Sequence, residues 1–196
     1  MVGPNPQGMV LHEDRLFVCN SGYGSSNTVS VIDLATDLVA ATIQVADGPA
    51  QAVVGPDGMV WVACTGNPFL GLPTPGHVVI INPSSLSVEA TIDVDGHLLG
   101  PIAADPEGYI YVIAAPFGSY FGGPVNRITV SSRAVTPTFV SGTFYALAVE
   151  PVTGDVYVAD VRAFQSDGEL RRYNREGVLL RSVDVQRGPG TLRFRR

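Results

Sequence analysis

The sequence predicts an all-β protein of the β-propeller type, made of four four-stranded antiparallel blades, and three observations support this prediction. An aromatic residue followed by Val recurs 44, 50 and 46 residues apart, at Phe17, Trp61, Tyr111 and Tyr157. Gly and Pro interrupt the chain about every 10 residues, and the apolar residues show no helical period. A repeat of about 40–50 residues that contains four short strands is typical of propeller blades.

Each copy of the repeat reads as strand, turn, strand, loop, strand, turn and strand, and the second copy shows every element. The turn between its first two strands is Pro56-Asp57-Gly58, in which Pro presets φ, Asp bonds its own backbone and Gly takes a positive φ. The continuous apolar run Val78–Ile81 suits a strand that is covered on both faces, as in a blade between two neighbours. The four strands of this copy are predicted at Ala52–Gly55, Met59–Cys64, Val78–Asn82 and Val88–Val94.

The other copies follow the same order, and together they predict one domain over residues 1–196. The last two strands of copies one and four are predicted at Val29–Asp33, Val39–Val45, Leu170–Asn174 and Val178–Val185. The blades are expected at residues 5–47, 48–96, 97–142 and 143–187. Phe144 and Tyr145 are placed in the connection that enters the fourth blade.

The repeat begins a fifth time near the C-terminus, where we expect one extra strand at residues 190–196. Leu192 and Phe194 alternate there with arginines, as a half-buried strand requires. In a complete ring such a strand finishes a blade that begins at the N-terminus, but Met1 opens directly onto a first strand, so further strands and blades are expected upstream. Three arrangements remain open: a fragment completed by further sequence or another chain, a closed ring of four blades, and two copies that form eight blades.

The charged residues are distributed unevenly along the chain. All twelve basic residues are Arg, and eleven of them lie at or after Arg127, while only Arg15 opposes the eleven carboxylates before it. The net charge of −6 argues against a general nucleic-acid-binding protein, which needs a basic face. The arginines of the basic last third are expected to solvate the surface; the alternative is head-to-tail attraction to the acidic first part of another copy, which salt would weaken.

The sequence leaves the compartment open. Residues 1–6 lack the basic and apolar regions of a signal peptide, and no apolar run is long enough to span a membrane. The chain is therefore either cytosolic or part of an exported protein.

Cys19 and Cys64 close two predicted second strands at positions that are not equivalent, and both are expected to be buried free thiols.

The candidate binding face consists of the loops between second and third strands, where much of the variation in repeat length falls. In propellers these loops share one face with the connections between blades, and insertions there usually lie at the binding face. Aromatic rings and an arginine on this face suit a flat organic ligand, a sugar or a protein partner; the alternative is that the rings only pack the loops. The candidate residues are Tyr23, Phe69, Phe117, Tyr120, Phe121, Tyr145, Arg162 and Phe164.

No catalytic residues, metal ligands or cofactor are predicted. His12, His77 and His97 have no metal-ligand spacing, and carboxylates do not cluster around them. The glycine-rich stretches 22–26 and 118–123 lack the helix that a phosphate site needs. The sequence also contains no Gly-x-Ser-x-Gly nucleophile elbow.

Several segments resemble the YVTN-type, or YncE-like, β-propeller repeat proteins. They are Asn27–Thr36, Ala41–Ile43, Gly48–Val53 and Ala90–Ile92. The resemblance implies a propeller, typically of seven blades, in a bacterial envelope or secreted protein. Related proteins include cobalamin-binding surface lipoproteins and, more distantly, lactonases.

These observations together favour a non-enzymatic binding or interaction protein, which the resemblance places in the bacterial cell envelope. Its expected partners are a protein, a second copy that completes the propeller, or a small organic ligand. A lactonase or esterase that works in the propeller channel is one alternative. A purely structural element of a surface assembly is another.

Overall fold

The computed structural model describes residues 1–67, 73–98, 101–119 and 122–194. In this part of the chain there are fifteen β-strands and two short 3-10 turns, and every strand pairing is antiparallel. The all-β prediction is therefore confirmed. The chain divides into two compact units, Met1–Leu98 and Leu99–Arg196.

The first unit contains two four-stranded sheets in which the strands follow one another in chain order. Blade 1 consists of β1 Pro6–His12, β2 Arg15–Asn20, β3 Thr28–Asp33 and β4 Leu38–Gln44. Blade 2 consists of β5 Pro49–Val54, β6 Val60–Cys64, β7 His77–Asn82 and β8 Ser87–Asp93. The strand β5 begins three residues before its predicted start, because Pro49 still pairs with Cys64 across a bulge.

The second unit is a single sheet of seven strands in chain order. Its strands are β9 Ile102–Asp105, β10 Tyr109–Ile113, β11 Gly123–Thr129, β12 Val135–Val149, β13 Val156–Asp160, β14 Gly168–Tyr173 and β15 Leu179–Val185. The first half of β12 pairs with β11 and its second half pairs with β13. We assign the first half to blade 3, with β9–β11, and the second half to blade 4, with β13–β15.

The placement of Phe144 and Tyr145 in a connection between blades was wrong. Both residues lie inside β12, and Phe144 pairs with Asp160 of β13 and with Gly123 of β11. The chain passes from blade 3 to blade 4 within one strand of 15 residues. This is possible because β12 pairs with β11 along its first part and with β13 along its second part. Phe144 is fully buried.

The aromatic-Val pair places one side chain on each face of a blade. Phe17 and Cys19 of β2 belong to the same buried cluster as Val60 and Val62 of β6. Since successive side chains of a strand point to opposite faces, the aromatic residue faces the following blade and the Val faces the preceding one. We call these the forward face and the rear face of a blade.

The second unit repeats this arrangement. Tyr111 and Ile113 of β10 cluster with Val156 and Val158 of β13. Tyr111 is the aromatic residue of its pair, and Val158 is the Val of the next pair. The core within each unit is therefore the contact between one forward face and one rear face.

The offset between the two cysteines explains why both occupy one core. Cys19 lies two residues after the aromatic residue of its pair and Cys64 lies three residues after, so they lie on opposite faces of their blades. Both are fully buried in the cluster between blades 1 and 2, as predicted, and both are free thiols. Burial raises the pKa of Cys19 to about 12 and also raises the pKa of Cys64.

An arginine joins neighbouring blades at the turn end of each unit. Arg15 Nη1 donates to the carbonyl oxygen of Pro83 at 2.6 Å, and Arg127 Nη1 donates to that of Arg175 at 2.9 Å. Pro83 and Arg175 occupy the same repeat position, directly after Asn82 and Asn174. Those two Asn side chains accept backbone N–H groups of the following turn at 3.0 and 3.2 Å, as Asx turns do.

The extra strand expected at residues 190–196 is not present in the described part of that segment. Residues 190–194 have no strand pairing, because a strand exists only where a neighbour supplies hydrogen bonds. The Phe194 ring instead meets the Tyr157 ring edge-on, with centroids 5.1 Å apart.

Within the described residues, no helix has the length and apolar character needed to cross a membrane.

Candidate functional site

The loop between β13 and β14 contains a short left-handed turn at Arg162–Phe164. These three consecutive residues have φ values of 46°, 53° and 61°. Asp160 Oδ1 accepts the Arg162 N–H at 2.8 Å, and the Val161 carbonyl accepts the Phe164 N–H at 2.8 Å. The end of β13 therefore fixes the conformation of the turn.

Blade 1 has the same turn at the same place, but there it is made mainly of glycine. Gly22, Tyr23 and Gly24 follow β2 with φ values of 54°, 57° and 90°. Glycine adopts this region freely, whereas each L-residue with a side chain pays about 1–2 kcal/mol. Blade 4 keeps the strained conformation with Arg, Ala and Phe, and retained strain of this kind concentrates at functional sites.

The turn brings two aromatic rings together at the surface. The rings of Tyr145 and Phe164 meet edge to face, with centroids 5.3 Å apart and planes 80° apart. Gly188 lies against the Phe164 ring, since a Cβ built there would be 3.4 Å from Cδ1. Phe164 is nevertheless 41% exposed, so the ring pair presents apolar area to a partner.

Arg162 begins the same turn as Phe164, and its guanidinium lies in a loose ionic environment. Its Nη2 atom is 3.7 Å from Glu169 Oε2 and 3.8 Å from Asp184 Oδ1. Both distances exceed normal hydrogen-bond length, and the Arg162 side chain is 45% exposed. An incoming carboxylate therefore competes only with weak, partly solvated ion pairs.

Glu169 is the ionic centre of the surface. The hydrogen bond from Arg171 Nη2, 2.6 Å long, and then the bond from the Ser182 hydroxyl lower the Glu169 pKa to about 2. Burial acts in the opposite direction but is outweighed. Glu169 thus stays ionised at any physiological pH and holds Arg171 and Arg162 on one side of the sheet.

The structure brings the predicted site residues Tyr145 and Phe164 into contact, and it places a third predicted residue, Arg162, in the same turn as Phe164. We call these three residues the aromatic surface. Tyr23 is 71% exposed in the first unit, and Phe117 is 53% exposed in the second unit. The predicted residues Phe69, Tyr120 and Phe121 lie outside the described residues.

Sequence reasoning missed the acidic members of this site. Glu169 and Arg171 are two residues apart in β14, a spacing that places both on one face of a strand and was visible in the sequence. Asp184 and Ser182 approach only through the register of β15 against β14, in which Glu169 pairs with Asp184. That register depends on a bulge between Arg172 and Tyr173, which the sequence does not reveal.

The histidines occupy separate environments. His77 Nε2 is 3.4 Å from Asp93 Oδ1, and His97 is buried. His12 lines a polar cleft of about 310 Å³ in the first unit, with Glu13, Asp14, Arg15, Pro83 and Ser84. Among the described residues, no three His, Cys, Asp or Glu side chains converge as metal ligands would.

Comparison with known proteins supports the fold alone. No protein-family model and no curated protein matches the sequence. Among solved structures, the chain is similar to Kuenenia stuttgartiensis hydrazine synthase with a TM-score of 0.70 and 17% identity, over 92% of this chain and 54% of that one. It is similar to the Dos1 propeller with a TM-score of 0.66 and 12% identity, over 92% and 48%.

The WD40 domain of Neurospora crassa Pan2 is also similar, with a TM-score of 0.65 and 11% identity over 94% of this chain and 53% of that one. The antiparallel four-stranded blades and these neighbours define the chain as a β-propeller protein. The chain spans about half the length of the solved structures that it matches.

Proposed function

We propose that this β-propeller chain is a non-enzymatic interaction module that binds a protein partner through the aromatic surface. The observation that carries the proposal is the partly exposed Tyr145–Phe164 ring pair, in which Phe164 lies on a turn of three left-handed residues that begins with Arg162. Aromatic residues and Arg are enriched at the centres of protein interfaces.

The openness of the surface favours a protein over a small molecule. Small-molecule sites are concave and bury most of the ligand, whereas Arg162 and Phe164 are 45% and 41% exposed and the Asp184 side chain is 88% exposed. A flat or protruding surface of this kind suits an extended contact. The ring pair would take an apolar side chain, and Arg162 would take a carboxylate of the same segment.

The YVTN-type resemblance supports the same class of function without defining a partner. Membership of that family and a location in the cell envelope are part of the proposal, and they rest on the repeat segments such as Asn27–Thr36 and Gly48–Val53.

The test is capture of partners by immobilised protein, followed by binding measurements with the purified partner. We compare the wild type with Phe164→Ala and Arg162→Ala, and use Val152→Ala as the control because Val152 is 82% exposed and lies in the turn after β12. Loss of a central aromatic residue typically costs about 2 kcal/mol, or about 30-fold in Kd. The variants should lose binding to that degree, and the control should bind like the wild type.

Two results would refute the proposal. One is a partner that binds the wild type and both aromatic-surface variants equally. The other is turnover of a lactone or ester substrate, such as γ-butyrolactone or p-nitrophenyl acetate, by the purified protein at rates above the buffer background. The second result would instead support the hydrolase alternative.

A further inference from the structure

The forward face of blade 4 is exposed at a position where the forward faces of blades 1 and 3 are buried. Val183 of β15 is 42% exposed, whereas the residues in the same register position, Ile43 of β4 and Val140 of β12, are 6% and 4% exposed. Tyr157, the aromatic residue of its pair, is also only half-buried, and the contact that it makes there is with the ring of Phe194 near the C-terminus. This face has the pattern of a contact between blades, but no described blade follows it in the second unit.

Blade 1 exposes the β1 edge of its rear face, although Val18 in the middle of that face is only 5% exposed. Met9 of β1 is 61% exposed, whereas Ala52 of β5 and Leu147 of β12 are 8% and 3% exposed. All three pair with the Val of an aromatic-Val pair, so they occupy one repeat position. Ala52 and Leu147 lie in the cores between blades, which is where Met9 would lie if a blade preceded it.

Arg172 occupies on blade 4 the position of the arginine that joins blades 3 and 4. Arg127 pairs with the aromatic Tyr111 across the sheet, and Arg172 pairs with the aromatic Tyr157. Arg127 donates to the backbone carbonyl of Arg175 in the next blade. The Arg172 side chain is 39% exposed, and its Nε and Nη2 atoms both contact the Asp155 carboxylate, which leaves the N–H groups of Nη1 for a carbonyl acceptor.

The matching acceptor on blade 1 is the carbonyl of Leu34. Leu34 follows Asp33 as Arg175 follows Asn174, and its residue is 43% exposed. Asp33 holds the same kind of turn, because its Oδ1 accepts the N–H groups of Ala35 and Thr36 at 2.9 and 3.0 Å.

The charges of the two faces are complementary. On blade 4, Arg172 pairs with Arg181 on the neighbouring strand, where like charges repel each other, and Asp155 offsets only one of these two charges. The turns of blade 1 carry four carboxylates in or beside the predicted contact, namely Glu13, Asp14, Asp33 and Asp37. Contact between the faces would therefore relieve the repulsion and steer association.

We propose that the forward face of blade 4 binds the rear face of blade 1 of a second copy of this chain, head to tail. The contact repeats the interface seen within each unit, with Arg172 donating to the Leu34 carbonyl of the other copy. A second copy would also supply about as many residues as the chain lacks relative to the solved structures it resembles, of which it covers about half. The proposal involves neither Arg162 nor Phe164.

The test is the solution mass of the full chain, measured by light scattering over a range of concentrations. The wild type should approach twice 20.6 kDa. Val183→Asp places a carboxylate against an acidic face, and Met9→Lys places an amine against a basic one, so each variant should raise the dimer dissociation constant on the order of tenfold or more. An equal mixture of the two variants should recover dimers, because each mixed pair keeps one unaltered interface.

Val152→Asp is the matched control, since Val152 is highly exposed in the turn between β12 and β13, and it should keep the wild-type mass. Circular dichroism would establish that every variant is folded. A wild-type mass of 20.6 kDa at every concentration would overturn the proposal. So would a dimer that both face variants leave intact, because the copies would then use another surface.

Discussion

Ala163 has a left-handed backbone conformation that is unfavourable for an L-residue. Its methyl side chain is too small to offset that cost. Its φ of 53° lies in the left-handed region, which glycine enters without penalty. Ala163→Gly should therefore raise the free energy of unfolding by about 0.5–1 kcal/mol, measured by urea denaturation. The control Ala40→Gly, in the exposed strand β4 where φ is not positive, should lower it by about 0.5–1 kcal/mol.

The two glycine variants should thus differ in sign. If Ala163→Gly is destabilising like its control, the left-handed turn is not formed in solution. The aromatic surface would then lose its support, because the turn sets the positions of Arg162 and Phe164.

Glu169 should make the free energy of unfolding depend on pH in the acidic range. Its pKa in the folded protein is about 2, below the ordinary value of 4.5, so its contribution is complete above the unfolded pKa and disappears as pH falls toward 2. The difference in unfolding free energy between the wild type and Glu169→Gln should stay constant above pH about 5 and shrink as the pH is lowered to about 2. Parallel curves for the two proteins across that range would contradict the assigned network.

The residue scale also shows what the sequence was able to predict. The burial of Cys19 and Cys64 follows from their residue type and strand position, and it is confirmed. Both cysteines lie in one core because Cys19 is two residues after the aromatic residue of its repeat and Cys64 is three residues after its own. This difference of one residue can be read from the sequence. The partners of Arg162 were not predictable, because they depend on how β15 is bulged against β14.

At the scale of elements, a buried ion pair joins the turns of blades 3 and 4. Asp105 is fully buried, and Arg175 contacts it through Nε at 2.9 Å and Nη2 at 3.3 Å. Arg175→Ala leaves this buried carboxylate without its counter-charge and should therefore lower the free energy of unfolding by clearly more than the loss of an exposed ion pair does. The measurement is denaturant unfolding of the purified variant.

Two matched variants separate the buried pair from its exposed neighbour. Arg175 also contacts the exposed carboxylate of Glu107 at 2.5 Å, and Glu107→Ala should change stability by less than about 1 kcal/mol. The double variant Asp105→Asn with Arg175→Ala should recover most of the loss, because no buried charge remains. Equal losses in Arg175→Ala and the double variant would show that the carboxylate is not buried as described.

Apart from the start of β5, which was predicted three residues too late, the predicted strand ends lie within one or two residues of the observed ones. Asn82 and Asn174 end third strands or follow them directly and accept turn N–H groups, as their residue type indicated. The continuous strand β12 was not predicted, because Ser141, Gly142 and Thr143 are turn-forming residue types and they lie where the strand passes from blade 3 to blade 4. The C-terminal strand failed for the opposite reason, since its alternating pattern was present and a partner strand was not.

At the scale of the whole molecule, the repeat explains both the β-propeller fold and the exposure of Met9 and Val183. The regular strand order and the solved propellers that resemble it support the β-propeller fold. The uneven charge along the sequence places positive charge on one face of a blade, because Arg172 and Arg181 both lie on the forward face of blade 4. The sequence indicated the charge asymmetry but not which side chains share that face.

The central claim is that each aromatic-Val pair directs its aromatic ring forward and its Val to the rear. The most direct measurement is a set of nuclear Overhauser effects from the Phe17 ring in protein with labelled methyl groups. We predict contacts with methyl groups of Val60, Val62 or Ile81, which share its buried cluster. Contacts from the Phe17 ring to the Trp61 side chain in their place would contradict the assignment of faces, and with it the proposed contact between copies.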